Sequence, residues 1–136
     1  MKKVVKVILM GLLIDIGGSI AFQFVVGIIA TVYLLKHGVG QAEVAPALIQ
    51  LIMSQPWLSI LEAIGAFISL LAGYYVTAKM KEKTYKYAKI LGVCSSAIGF
   101  SMAYSYYPLS ENIAMAVLTI LSSVAGAWLW MKRNYT

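Results

Sequence analysis

The chain has 136 residues, 61% of them apolar and only 12% charged, with a mean hydropathy of +0.83, a balance that soluble domains with charged shells do not show. Its formal charge of +6 does not point to a nucleic-acid partner, because the basic residues cluster at the ends of apolar runs instead of among base-stacking aromatics. A single cysteine, Cys94, excludes an internal disulfide, a Cys-x-x-Cys redox pair and a cysteine zinc site.

Four apolar segments, at about residues 7–35, 58–78, 88–107 and 113–131, each reach the roughly 20 residues that cross a hydrocarbon core of about 30 Å. The expected fold is therefore all-α: a single integral membrane domain, 1–136, forming a four-helix bundle. The first segment begins like a secretory leader, with Lys2, Lys3 and Lys6 ahead of an apolar run and Ser19-Ile20-Ala21 as a small-x-small site. The run continues to Leu35 and would place Asp15 inside a leader's apolar region, so a retained span is expected. It is longer than the membrane is thick and must tilt, kink near its glycines or protrude.

Asp15 lies about 12 Å along that helix from its basic end, where a carboxyl is expensive and should face the bundle or a water-filled cavity. Gly11, Gly18, Ser19 and Phe22 share its face by helical spacing, and no Lys or Arg lies at comparable depth. A neutral acid or a carboxylate with a bound cation are the two states such a site supports. The structural alternative is a protonated acid bonded to Ser19 or to a hydroxyl of a neighbouring helix.

After this span, Gly38 and Gly40 break the helix, His37 stands alone without a second imidazole, and no metal site or cofactor is expected. From Pro46 onward Ala47, Leu48, Leu51 and Ile52 recur at helical spacing, with Gln50 and Gln55 elsewhere. That pattern predicts a short helix lying in the interface, or packed over the bundle mouth as a lid. The second span carries Glu62 near its start, on one face with Gly65 and Ser69. Depth and facing suggest a polar path from Glu62 over Ser69 to Asp15; the plainer reading has Glu62 snorkel to the interface.

Small residues recur every fourth position: Gly65, Ser69, Gly73 and Thr77 on the second span, Ser95, Gly99 and Ala103 on the third, Thr119, Ser123 and Ala127 on the fourth. Such faces let helix backbones approach closely in lipid and are expected to pack the bundle. Between the last two spans, Pro108-Leu109-Ser110-Glu111-Asn112 reads as a tight turn in which Ser110 caps the fourth helix.

Ten of the eleven Lys and Arg residues, namely Lys2, Lys3, Lys6, Lys79, Lys81, Lys83, Lys86, Lys89, Lys132 and Arg133, fall on one side, leaving Lys36 on the other. The positive-inside rule then puts both termini in the cytoplasm, N-in and C-in, of a bacterial inner membrane. Tyr33, Trp57, Tyr104, Tyr106 and Tyr107 mark the outer boundary, and Tyr74, Tyr75, Tyr85, Tyr87, Trp128 and Trp130 the inner one.

With Gly11-Leu12-Leu13-Ile14-Asp15 early in span one and Gly73-Tyr74-Tyr75-Val76-Thr77-Ala78-Lys79 closing span two, the chain resembles small uncharacterised four-helix inner-membrane proteins of bacteria. That resemblance implies a membrane location and no particular activity. An acid early in span one is also similar to small multidrug transporters, where such a carboxylate couples drug and proton binding. Here the acid is Asp, the first outer loop is far longer, and the aromatic drug-contacting pattern of those transporters is not evident.

The many serines lack a histidine base at matching depth, and a second intramembrane Asp is lacking, so no enzyme is expected. The first expectation is an accessory or interaction protein that binds another membrane protein, an envelope toxin, a second copy or lipid through its small-residue faces and residues 38–57; the alternative is a small proton- or cation-coupled transporter or channel using Asp15. The topology is checked by thiol labelling of intact cells: Gly40→Cys and Ser110→Cys should react with an impermeant reagent from outside, and Lys83→Cys should not. Labelling at Lys83→Cys would reverse the orientation.

Overall fold

The structure, a computed structural model, describes residues 2–54, 56–105 and 107–135. Among the described residues all regular structure is helical. The first helix is continuous over Lys2–Lys36 and consists of α1 (Lys2–Leu12), one π-helical turn (Leu13–Gly17) and α2 (Gly18–Lys36). The π turn ends at the Gly17-Gly18 pair, where no Cβ resists local rewinding. At the other end the Val39 amide bonds the Leu34 carbonyl and the Gly38 amide that of Leu35. Gly38, at φ +84°, takes the left-handed conformation that this helix-ending motif needs.

A 3-10 turn (Gln41–Glu43) leads into α3 (Val44–Met53), followed by α4 (Trp57–Met80), α5 (Lys86–Ala103) and α6 (Leu109–Tyr135). Three helices, Lys2–Lys36, Trp57–Met80 and Leu109–Tyr135, are long and apolar enough to cross a membrane. The third expected span is shorter than its reading: α5 has 18 residues and stops at Ala103, beyond which the Tyr104 and Tyr107 amides bond the Phe100 and Ala103 carbonyls as the chain turns toward Pro108. Ser110 does not cap α6. The helix starts one residue earlier, the Asn112 amide bonding the Pro108 carbonyl, so Ser110 lies within its first turn. Gln55 and Tyr106 lie outside the described residues.

Contacts fix the helix directions. Gly11 faces Val76, Asp15 meets Ser69 and Gly18 faces Ile68, so the first helix runs antiparallel to α4. Ser96 bonds the Ala116 carbonyl while Gly92 faces Ile120, so α5 is antiparallel to α6. Ser123 meets Ser69 and Tyr135 meets Lys81, making α4 and α6 parallel. The first turn of α1, the α4–α5 connection and the last turn of α6 thus share one end, and all ten basic residues of the cluster named above gather there.

Packing is tightest in that basic half. Val7, Ala72, Val76, Met80 and Leu91 form the core, and Ala88 and Ala127 are fully buried. A Cβ on Gly73 would strike the Ser123 carbonyl, one on Gly126 the Leu70 carbonyl, and one on Gly92 would lie 2.9 Å from Ile120 Cα. Two glycines expected to pack do not: a Cβ on Gly65 or Gly99 would meet nothing within 4 Å. Spacing identifies a helix face but not how near the neighbouring backbone comes, and here the helices have already diverged. Gly73→Ala and Gly126→Ala should therefore each cost about 1–3 kcal/mol through overpacking, whereas Gly65→Ala and Gly99→Ala should leave stability unchanged or raise it slightly. Melting curves of the four variants in mild detergent check this, and equal losses at all four would refute it.

Candidate functional site

Above the tight half the bundle opens. α1 and the π turn pack against both α4 and α5, whereas α2 packs on α3 and α4. The space so left is a cavity of about 500 Å³ that reaches from Asp15 to Met53 and Tyr107 at the opposite end. α3 contributes Ile49, Ile52 and Met53 to its wall, so this helix covers the cavity in the manner of the lid considered above.

Asp15 forms the floor. It belongs to the π turn and is only 3% exposed. Ser69 Oγ donates a hydrogen bond of 2.6 Å to Asp15 Oδ1, so the carboxyl is bonded across helices and not to Ser19. Ser69 is itself braced, since Ser123 Oγ donates to its carbonyl at 3.5 Å. Asp15 Oδ2 is buried and has no hydrogen-bond partner among the described residues, and the same is true of Ser95 Oγ. Both residues line the same cavity, together with Ser19 and Gln23.

Glu62 is not on this wall. It lines an adjoining cavity of about 230 Å³ between α2, α4 and α6, and the two spaces share Gln23, Ile52, Gly65, Tyr107 and Thr119. Asp15, Ser19 and Ser69 are thus brought together, with Glu62 next door. Tyr107 stands in the turn after α5, where burial, with Glu62 and then Glu111 nearby, pushes its phenol above the ordinary value; it stays a neutral hydroxyl beside the shared space. His37 takes no part: its Nδ1 lies 2.8 Å from the Tyr33 carbonyl at the end of α2.

Of the residues read as packing, Gly73 and Ser123 face one another, while Gly65, Ser95 and Gly99 line the cavity. Two features escape sequence reasoning. Gln23 continues the face of Asp15 and Ser19 at a spacing of four, a signal that was present in the sequence. The π turn left no comparable mark. Chemically, an unpaired buried carboxyl oxygen costs about 1–3 kcal/mol, and a carboxyl at this position is relieved by protonation or by a cation brought to it.

No protein-family model matches the chain, and neither a curated protein nor a solved structure matches it. The site is therefore interpreted from its geometry. Ser69→Ala removes the only side-chain donor to Asp15 among the described residues and should cost about 1–3 kcal/mol of stability. In an Asp15→Leu background the same change should cost much less, because no acceptor is stranded. Equal costs in the two backgrounds, read as melting temperatures in detergent, would show that the bond contributes nothing.

Proposed function

We propose that the chain crosses the bacterial inner membrane four times with both termini in the cytoplasm, and acts as a small proton- or cation-coupled transporter in which Asp15 carries the ion. The observation behind this is the buried Asp15 Oδ2, without a partner among the described residues, in a residue that lines a cavity reaching to Met53 and Tyr107. The gathering of basic residues at one end supports the orientation. α5, at roughly 1.5 Å per residue, spans about 27 Å, close to the thickness of a hydrocarbon core, and its buried hydroxyls Ser95 and Ser96 face other helices.

A channel needs a continuous path. Beneath Asp15, Gly11 presses on Val76 and Leu91, and Gly73 on Ser123, so a site reached from one side and closed on the other fits transport better than open conduction. A role as an accessory protein needs small-residue faces free for a partner. Gly73, Gly126 and Ser123 are engaged inside the bundle, which weakens the support for that role.

The test compares wild type with Asp15→Asn in liposomes under a proton or cation gradient, with melting curves alongside. Asparagine keeps the size of the protonated acid and can accept from Ser69, but it cannot carry charge. Flux in the wild type that disappears in a stably folded Asp15→Asn is the expected result. An inert wild type with an equally stable variant would defeat the transport proposal and leave a structural acid.

A further inference from the structure

Three of the five acidic residues, Glu43, Glu62 and Glu111, lie at the end of the molecule where Lys36 is the only Lys or Arg. The field of such an end draws cations to it. Glu43 and Glu111 are exposed, but Glu62 is half-buried and lines the cavity of about 230 Å³ between α2, α4 and α6. It forms no hydrogen bond or ion pair with another described residue. Much of the wall around it is hydrocarbon, from Val26, Leu58, Leu61 and Leu118, so a carboxylate left without a counter-charge is disfavoured there.

Gln23 of α2, Thr119 of α6 and Tyr107 of the turn after α5, each with a neutral side-chain oxygen, line the same space. Thr119 Oγ1 already donates its proton to the Met115 carbonyl at 2.9 Å, so what it has left to offer is a lone pair. Tyr107 is anchored at both of its peptide groups: its amide donates to the Ala103 carbonyl at 3.2 Å, and its carbonyl accepts from Asn112 Nδ2 at 2.9 Å. Glu62 is near enough to act electrostatically on its phenol. We infer that Glu62, Gln23, Tyr107 and Thr119 form a binding site for a small monovalent metal cation of the sodium kind, separate from Asp15, which does not line this cavity. An all-oxygen donor set suits a hard cation and not a transition metal. One carboxylate balances one positive charge, whereas calcium sites gather several carboxylates and magnesium keeps most of its water. An organic cation is disfavoured by size, since pockets for such ligands begin at about 300 Å³. The inference depends neither on transport nor on any role of Asp15.

The experiment measures equilibrium binding of radiolabelled sodium to the full chain in mild detergent, in buffers whose other cation is choline. The wild type should bind sodium saturably, and unlabelled sodium, but not choline, should displace it. Asp15→Asn, in which no ion can be held by Asp15, should bind it as well, and adding Glu62→Gln to that variant should abolish binding. Thr119→Val and Gln23→Leu each remove one oxygen and should weaken binding about tenfold, which keeps the inference testable if Glu62→Gln does not fold. Sodium should also raise the melting temperature over choline at equal ionic strength, and this rise should vanish with Glu62→Gln. Absence of saturable binding, or binding that is the same with and without Glu62→Gln and Thr119→Val, would overturn the site. Since no flux is read, a protein that binds sodium here and moves nothing across liposomes keeps the site and loses only the transport function.

Discussion

The close approach of α4 and α6 governs the rest of the molecule. Gly73 lies against the Ser123 carbonyl and Gly126 against the Leu70 carbonyl, a reciprocal contact in which each helix offers a bare Cα to the other's backbone. Between helices in lipid, where no hydrophobic force acts, van der Waals contact of this kind is a main source of association. Because the two helices are parallel, the contact sets Ser123 beside the Ser69 carbonyl and aims the Ser69 hydroxyl at Asp15. Further up, Leu58, Leu61, Met115 and Leu118 line the space between the same helices, and backbones separated by side chains of that size cannot stay in contact. One face, small below and large above, closes half the bundle and opens the other half.

The π turn performs a second division on the first helix. With Val7, Gly11 and Asp15 at a spacing of four, α1 keeps a single buried face, while in α2 only Ala30 is buried. A wider turn relaxes the register between the two stretches, letting α1 stay in the core while α2 leans out to form a cavity wall. Asp15 sits within this turn, so the residue that is costly to bury is held by the least regular part of the helix.

Much of this was legible. Hydropathy located the helices, and the depth of Asp15 with the spacing of Ser69 placed two polar residues that the fold does join. The errors share a cause. Gly65, Gly73 and Gly99 look alike in sequence, yet only Gly73 meets a backbone, because helix separation is decided by neighbours on other helices and leaves no trace in local spacing. Ser95 was read for its small size, and its hydroxyl, unpartnered beside the cavity, mattered instead. α5 ends at Ala103, inside an apolar run whose hydropathy marks no boundary there.

If a solute is to pass Asp15, the closed half has to part, and the contacts there are unequal. α4 and α6 meet backbone to backbone, so separating them forfeits contacts that no side chain can reach across to replace. α1 is held differently: Gly11 faces Val76 Cγ2 and the Leu91 methyls, which are ends of side chains that can change rotamer. The π turn directly above is a break in regular α-helical hydrogen bonding, and Asp15 lies within it, so on the transport assignment a movement of this helix would carry Asp15 away from Ser69. On the transport assignment, α4, α5 and α6 are the frame and the first helix is the moving part. A carboxyl that stayed in the frame would face only one side, whereas one carried on the mobile helix is exposed to each side in turn by the same motion that opens the path.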